Sequence, residues 1–163
     1  MSGSFDNSVR MWDVSTGVEL KELKCHTRVR SVAISSDGMW IVSGSDDYSV
    51  RVWDVSTGQE LKELKGHTGW VRSVAISADD TYIVSGSDDK SVRVWDVSTG
   101  QELKELKDHT DWVCSVAISS DGIRIMSLAN NSVWVWDATL AGVEQKELKK
   151  GHTGCASVKS VIF

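Results

Sequence analysis

His67-Thr-Gly-Trp-Val-Arg-Ser-Val-Ala-Ile-Ser77, followed by Tyr82-Ile-Val-Ser-Gly-Ser87 and Val92-Arg-Val-Trp-Asp96, is the stretch on which the fold turns. Val71 to Ile76 is a short run rich in β-branched residues, which favour a pleated, half-buried surface. Ala78-Asp79-Asp80 turns the chain into a second strand at Tyr82–Ser87. Asp88-Asp89-Lys90 is a tight turn of the kind aspartate favours. A third strand over Val92–Trp95 stops at Ser98-Thr99-Gly100. Gln101 to Lys107 follows, with Leu103 and Leu106 three apart. So short a piece cannot hold an isolated helix. It reads instead as a charged outer strand, since charge protects a sheet edge from unwanted pairing.

Working outward, Trp-Asp recurs at Trp12-Asp13, Trp53-Asp54, Trp95-Asp96 and Trp136-Asp137, in steps of 41, 42 and 41 residues. A fixed period of this size means one supersecondary unit copied in series, each copy burying its apolar face on the next. Four short strands per period describe a blade of a β-propeller, so the fold class is all-β.

Gly66-His67, the strand Tyr82–Ser87, the turn Asp88-Asp89 and the terminal Trp95-Asp96 together resemble a WD40 repeat. The resemblance spans the whole chain. The near-identity of the copies is similar to the repeats of fungal NACHT-type signalling proteins. It implies a single repeat domain, 1–163, made of blades of four antiparallel strands, a to d from the centre outward. Residues 1–24 supply strands b, c and d of a split blade; 25–65, 66–107 and 108–149 are full blades; and 150–163 supply one strand a. Val158–Phe163 then completes the blade begun by Met1–Phe5, the strand exchange that closes many propellers of this kind. Four blades sweep half of an eight-bladed ring, because each turns the chain by about an eighth of a circle. Two copies related by a two-fold axis close such a ring, and closed two-fold assemblies are the commonest. A homodimer is therefore expected, with a four-bladed ring from one chain as the alternative.

Composition narrows the function. The net charge is −5 and cations alternate with acids, which argues against nucleic acid as a partner. No apolar run is long enough to span a membrane, and the start lacks a signal-peptide pattern. Cys25, Cys114 and Cys155 have no metal-ligand spacing and stand where other copies carry Gly66, Arg72 and Trp70. They read as free thiols in a reducing cytosol. No cofactor and no metal are expected. The absence of proline fits a chain of paired strands.

Each unit carries Ser, His and Asp, a set that invites a hydrolase reading. Its return in several blades argues against catalysis, because an enzyme needs one site. The resemblance implies a buried network instead: indole N–H to hydroxyl, hydroxyl to imidazole, imidazole to turn carboxylate. The sets are His26, Ser43, Asp47 and Trp53; His67, Ser85, Asp89 and Trp95; and His109, Ser127, Asn131 and Trp136. The split blade takes Ser2, Asp6 and Trp12 from one end and His152 from the other. Within each Ser-Gly-Ser the first serine is chosen, Ser45 and Ser87 being the alternatives. Asn131 replaces the turn aspartate, so the last full blade is expected to be the loosest.

Binding residues are sought where the copies differ, because loops on one face of a repeat array are free to vary. Arg28, Arg30, Trp70, Arg72 and Trp112 open strand a on the top face, while Phe5, Asp46 and Asp88 mark the b–c turn. Trp and Arg are enriched at interface hot spots. Packing of Trp70 and Trp112 on neighbouring blades is the plainer alternative. The expected function is a non-catalytic scaffold or recognition module for a protein or peptide partner. A small-ligand or glycan-binding, lectin-like propeller is the second reading.

Overall fold

The computed structural model describes residues 2–3, 6–24, 27–130, 132–138 and 145–149. They form fifteen strands in four antiparallel sheets, with no helix among the described residues. The first sheet holds β1 (Ser2–Gly3), β2 (Ser8–Trp12) and β3 (Glu19–Lys24). The second runs β4 (Val29–Ile34), β5 (Trp40–Ser45), β6 (Val50–Asp54), β7 (Glu60–Leu64). The third runs β8 (Val71–Ile76), β9 (Tyr82–Ser87), β10 (Val92–Asp96), β11 (Glu102–Leu106). The fourth runs β12 (Val113–Ile118), β13 (Arg124–Ala129), β14 (Ser132–Asp137), β15 (Gln145–Lys149). The charged Glu-Leu-Lys-Glu-Leu segments are thus outer strands.

Turn chemistry sets these boundaries. Asp54 closes the turn after β6 by accepting from Thr57 N at 2.7 Å and Ser56 Oγ at 2.6 Å. Those donors hold its carboxyl down at about 2. Gly58 follows at φ +75°, a left-handed conformation glycine adopts without steric cost. Asp96 and Gly100 repeat the arrangement after β10.

The core lies between sheets rather than within them. Trp53 packs with Val9 and Leu23 of the first sheet, and Trp95 with Val42, Val50 and Leu64 of the second. Trp136 packs with Val84, Val92 and Leu106 of the third. A methyl group on Gly44 would stand 2.7 Å from Val71 Cγ1, and one on Gly86 2.7 Å from Val113 Cγ1. Glycine there lets the next blade's inner strand approach closely.

Two expectations change. The described strands do not close a ring, so the four-bladed single-chain alternative is not the structure found. Cys114 is disulfide-bonded, which overturns its reading as a free thiol. The cysteines therefore give no argument for a reducing compartment. No helix among the described residues is long and apolar enough to cross a membrane.

Candidate functional site

The third blade brings together all four of its network residues. Trp95 Nε1 donates to Ser85 Oγ at 2.8 Å, and Ser85 Oγ lies 2.7 Å from His67 Nε2. His67 Nδ1 lies 2.7 Å from Asp89 Oδ2. A carboxylate can only accept, so Nδ1 carries the proton and Nε2 accepts from the serine hydroxyl. Asp89 also accepts from Thr68 N at 3.0 Å, Ser91 N at 2.9 Å and Ser91 Oγ at 2.7 Å. Burial works to raise its pKa, but the bonds from His67, Ser91 and Thr68 outweigh it and hold the carboxyl far below the usual range. Ser85 is wholly buried, and its oxygen accepts from the indole while its proton goes to His67. The arrangement can lock a blade; it presents no accessible nucleophile.

Elsewhere the set is found in part. Trp53 Nε1 donates to Ser43 Oγ at 2.9 Å, while Asp47 Oδ1 accepts from Ser49 Oγ at 2.8 Å; His26 lies outside the described residues. In the fourth blade Ser127 Oγ meets Trp136 Nε1 at 2.7 Å and His109 Nε2 at 2.6 Å. His109 Nδ1 is buried without a hydrogen-bond partner among the described residues, Asn131 being outside them. Burial pushes the His109 pKa down to about 4, with Asp108 opposing. In the first blade Asp6 Oδ1 accepts from Ser8 Oγ at 2.6 Å, and Asp6 pairs with Arg10 at 3.2 Å. Trp12 keeps 40% of its surface exposed, and the Ser2 side chain and His152 lie outside the described residues.

The top face carries a second construction. Pairing shifts by one residue between Val29 and Ser31, between Val71 and Ser73, and between Val113 and Ser115. Arg30, Arg72 and Cys114 are thus the extra residues of β-bulges, which re-aim a side chain away from the ladder. Arg30 is clamped by both oxygens of Asp46, with Nη2 at 3.2 Å from Oδ2. Arg72 is clamped likewise by Asp88, with Nη2 at 2.9 Å, and this bond raises its pKa further. The forked guanidinium suits such bidentate pairing.

The clamped cations lie on the tryptophans of the following blade. The Arg30 guanidinium carbon is 4.4 Å from the Trp70 ring centroid, and that of Arg72 is 4.5 Å from the Trp112 centroid. Arg72 also stands 5.7 Å from Trp70. Four residues from three blades therefore form one row: Arg30, Trp70, Arg72, Trp112. The rings keep 41% and 45% of their surface exposed. Arg28 joins through its backbone: its carbonyl accepts from Asp46 N and from Ser45 Oγ, both at 3.1 Å. Phe5 lies outside the described residues.

The sequence marks these residues by type and variation, but not the stacking of one blade's arginine on the next blade's tryptophan. Its only trace is Trp70-Val-Arg72, echoed by Trp112-Val-Cys114. Trp134 stacks on Trp136 of its own strand, ring centroids 5.6 Å apart. Trp40 starts β5 and packs on the core between the second and third blades, whereas Met39 is exposed.

Antiparallel sheets packed face to face in chain order, three of them fixed by an indole–hydroxyl bond, define a β-propeller blade array. A family model described as WD domain, G-beta repeat matches residues 17–54, 58–96 and 100–137, and the chain belongs to the WD40 family. No curated protein matches it.

Proposed function

We propose that the chain is a non-catalytic scaffold that binds a protein or peptide partner through the row Arg30, Trp70, Arg72 and Trp112. The observation that carries this is the repeated stack at 4.4 and 4.5 Å with its rings still open to solvent. Asp46 and Asp88 neutralise the two cations and hold them still, so the row offers rigid aromatic surface with little ordering entropy left to lose. Trp and Arg in such settings dominate interface energies. Ser85, His67 and Asp89 are spent on blade stability, which supports the non-catalytic reading.

Replacing Trp70 and Trp112 together by alanine should leave the melting temperature within a few degrees of wild type. The same change should abolish capture of the proteins that wild type enriches from extract. Loss of folding would show the rings to be core. Retained capture would move binding elsewhere, and a glycan-array signal lost with the same two rings would favour the lectin reading.

The assembly that fits is a homodimer, two half-rings closing eight blades, with 158–163 of one copy beside 1–5 of the other. Of those segments only Ser2–Gly3 is among the described residues. What supports the assembly is that the described strands form four sheets in series that do not close on themselves.

A further inference from the structure

We infer that the partner places a guanidinium group beside Trp112, where the fourth blade supplies none of its own. The inference rests on the proposed function and names the chemistry the row reads. The two tryptophans differ in the cations that serve them. Two guanidinium groups lie over the Trp70 ring, that of Arg30 from the preceding blade at 4.4 Å and that of Arg72 from its own bulge at 5.7 Å. Among the described residues one lies over Trp112, that of Arg72 from the preceding blade at 4.5 Å. The bulge residue of Trp112's own blade is Cys114, which is disulfide-bonded and carries no charge. Both rings are nonetheless open to solvent to a similar degree.

The charges of this blade have changed in step. Asn130 stands where Asp46 and Asp88 clamp their arginines, so the arginine and its clamp are replaced together. Asp89 gives way to Asn131 as well, but that carboxylate is turned inward to His67 and Ser91. Asp108 and Asp111 meanwhile stand where the third blade has Gly66 and Gly69. A Cβ at Gly66 would collide with Arg93 Nη1, and one at Gly69 would stand 2.6 Å from Asp89 N. In the fourth blade Trp134 replaces Arg93, and the b–c turn is one residue shorter. The two acids thus arrive together with changes at the neighbours that exclude a side chain from the third blade.

Asp111 accepts from the Trp112 backbone N–H at 2.8 Å, and neither acid has a cationic partner among the described residues. The charge of Arg72 is already matched by Asp88, so it opposes an incoming cation only weakly. This end of the row is therefore an exposed indole in a loop with two uncompensated carboxylates. An indole face attracts a cation through its quadrupole, and a planar guanidinium stacks on it well. Negative charge in the same loop favours a cationic side chain over a neutral or acidic one.

The test uses the full chain and N-acetyl-arginine methylamide, read by the indole N–H signals in two-dimensional NMR. The Trp112 signal should shift and that of Trp70 much less. The citrulline analogue has the same shape without the charge and should bind at least about threefold more weakly. Asp111→Asn keeps an acceptor for the Trp112 N–H and should weaken the arginine probe about twofold. Cys114→Arg supplies the cation that the second and third blades carry and should abolish the shift. Cys114→Ser, which loses the disulfide alone, should retain it. Equal binding of the two probes, or full binding by Cys114→Arg, would overturn the inference. If either cysteine change unfolds the chain, Asp111→Asn decides, and unaltered binding there overturns it. Proteins captured through Trp70 and Trp112 whose capture survives Cys114→Arg would overturn this inference and leave the proposed function standing. Capture indifferent to both rings would remove that function itself.

Discussion

The third and fourth blades share a fold and solve its central problem differently. In the third, indole, hydroxyl, imidazole and carboxylate form an unbroken chain from Trp95 to Asp89. Beside it Arg93 pairs with Glu102 and, at 2.6 Å, with Glu105. In the fourth the chain stops at His109, whose Nδ1 meets no described partner. Trp134 occupies the place of Arg93; it stacks on Trp136 and sets its edge against His109 at 5.7 Å. Leu128 stands where Gly86 admits the following strand. A polar lock has given way to aromatic packing. The backbone tolerates the exchange because the indole–serine bond survives in both. That bond is the element common to the blades; the carboxylate is a reinforcement.

The largest effect should come from breaking the shared element. Ser85→Ala strands a buried indole N–H and an imidazole and disconnects Asp89, so it should cost about 3 kcal/mol. Ser127→Ala removes the same two contacts from a chain already cut short, and about 2 kcal/mol is expected. Urea unfolding of both variants measures the difference. A loss at Ser127 as large as at Ser85 would mean that Asp89 adds nothing through the network.

Next in size is the reinforcement itself. Asp89→Asn keeps the shape of the turn and removes the charge that orients His67. It should cost about 1 to 2 kcal/mol near neutral pH. Because the folded pKa of Asp89 lies below 3.8, its contribution is complete above that value and is lost as pH falls from there through the lower folded pKa. The gap between wild type and variant should therefore shrink in acid. A gap that stays constant down to acid unfolding would show that shape, not charge, sets the value of this residue.

Much of this comparison was legible before the structure. The Trp-Asp period, the β-branched run Val71–Ile76 and the Asp-Asp turn place β8 to β10 almost to the residue, because each boundary is a local turn signal. The first serine of Ser-Gly-Ser meets the indole because Ser85 pairs with Arg93, two residues before Trp95. What stayed hidden lies between blades. Arg30 and Trp70 stand forty residues apart, and nothing local says that a bulge turns one onto the other. The disulfide of Cys114 was hidden as well: Cys114 fills the bulge position of Arg72, and spacing along the chain does not report which residues meet in space.

The smallest effect is a pH response confined to the blade without a described carboxylate. Burial lowers the His109 pKa from 6.5 to about 4, so the folded state prefers the neutral ring while the unfolded chain takes up a proton first. The stability tied to neutral His109 is complete above about 6.5 and is lost as pH falls from there to about 4. In the third blade His67 Nδ1 donates to Asp89, so that ring nitrogen is partnered where the one in the fourth blade meets no described partner. Amide exchange, corrected for its intrinsic pH dependence, should speed up across β12 to β14 between about pH 7 and pH 5, with β8 to β10 unchanged. Equal acceleration in both blades would make the acid response global and erase the distinction. A response in β12 to β14 that persists in His109→Gln would assign it to another group in that blade.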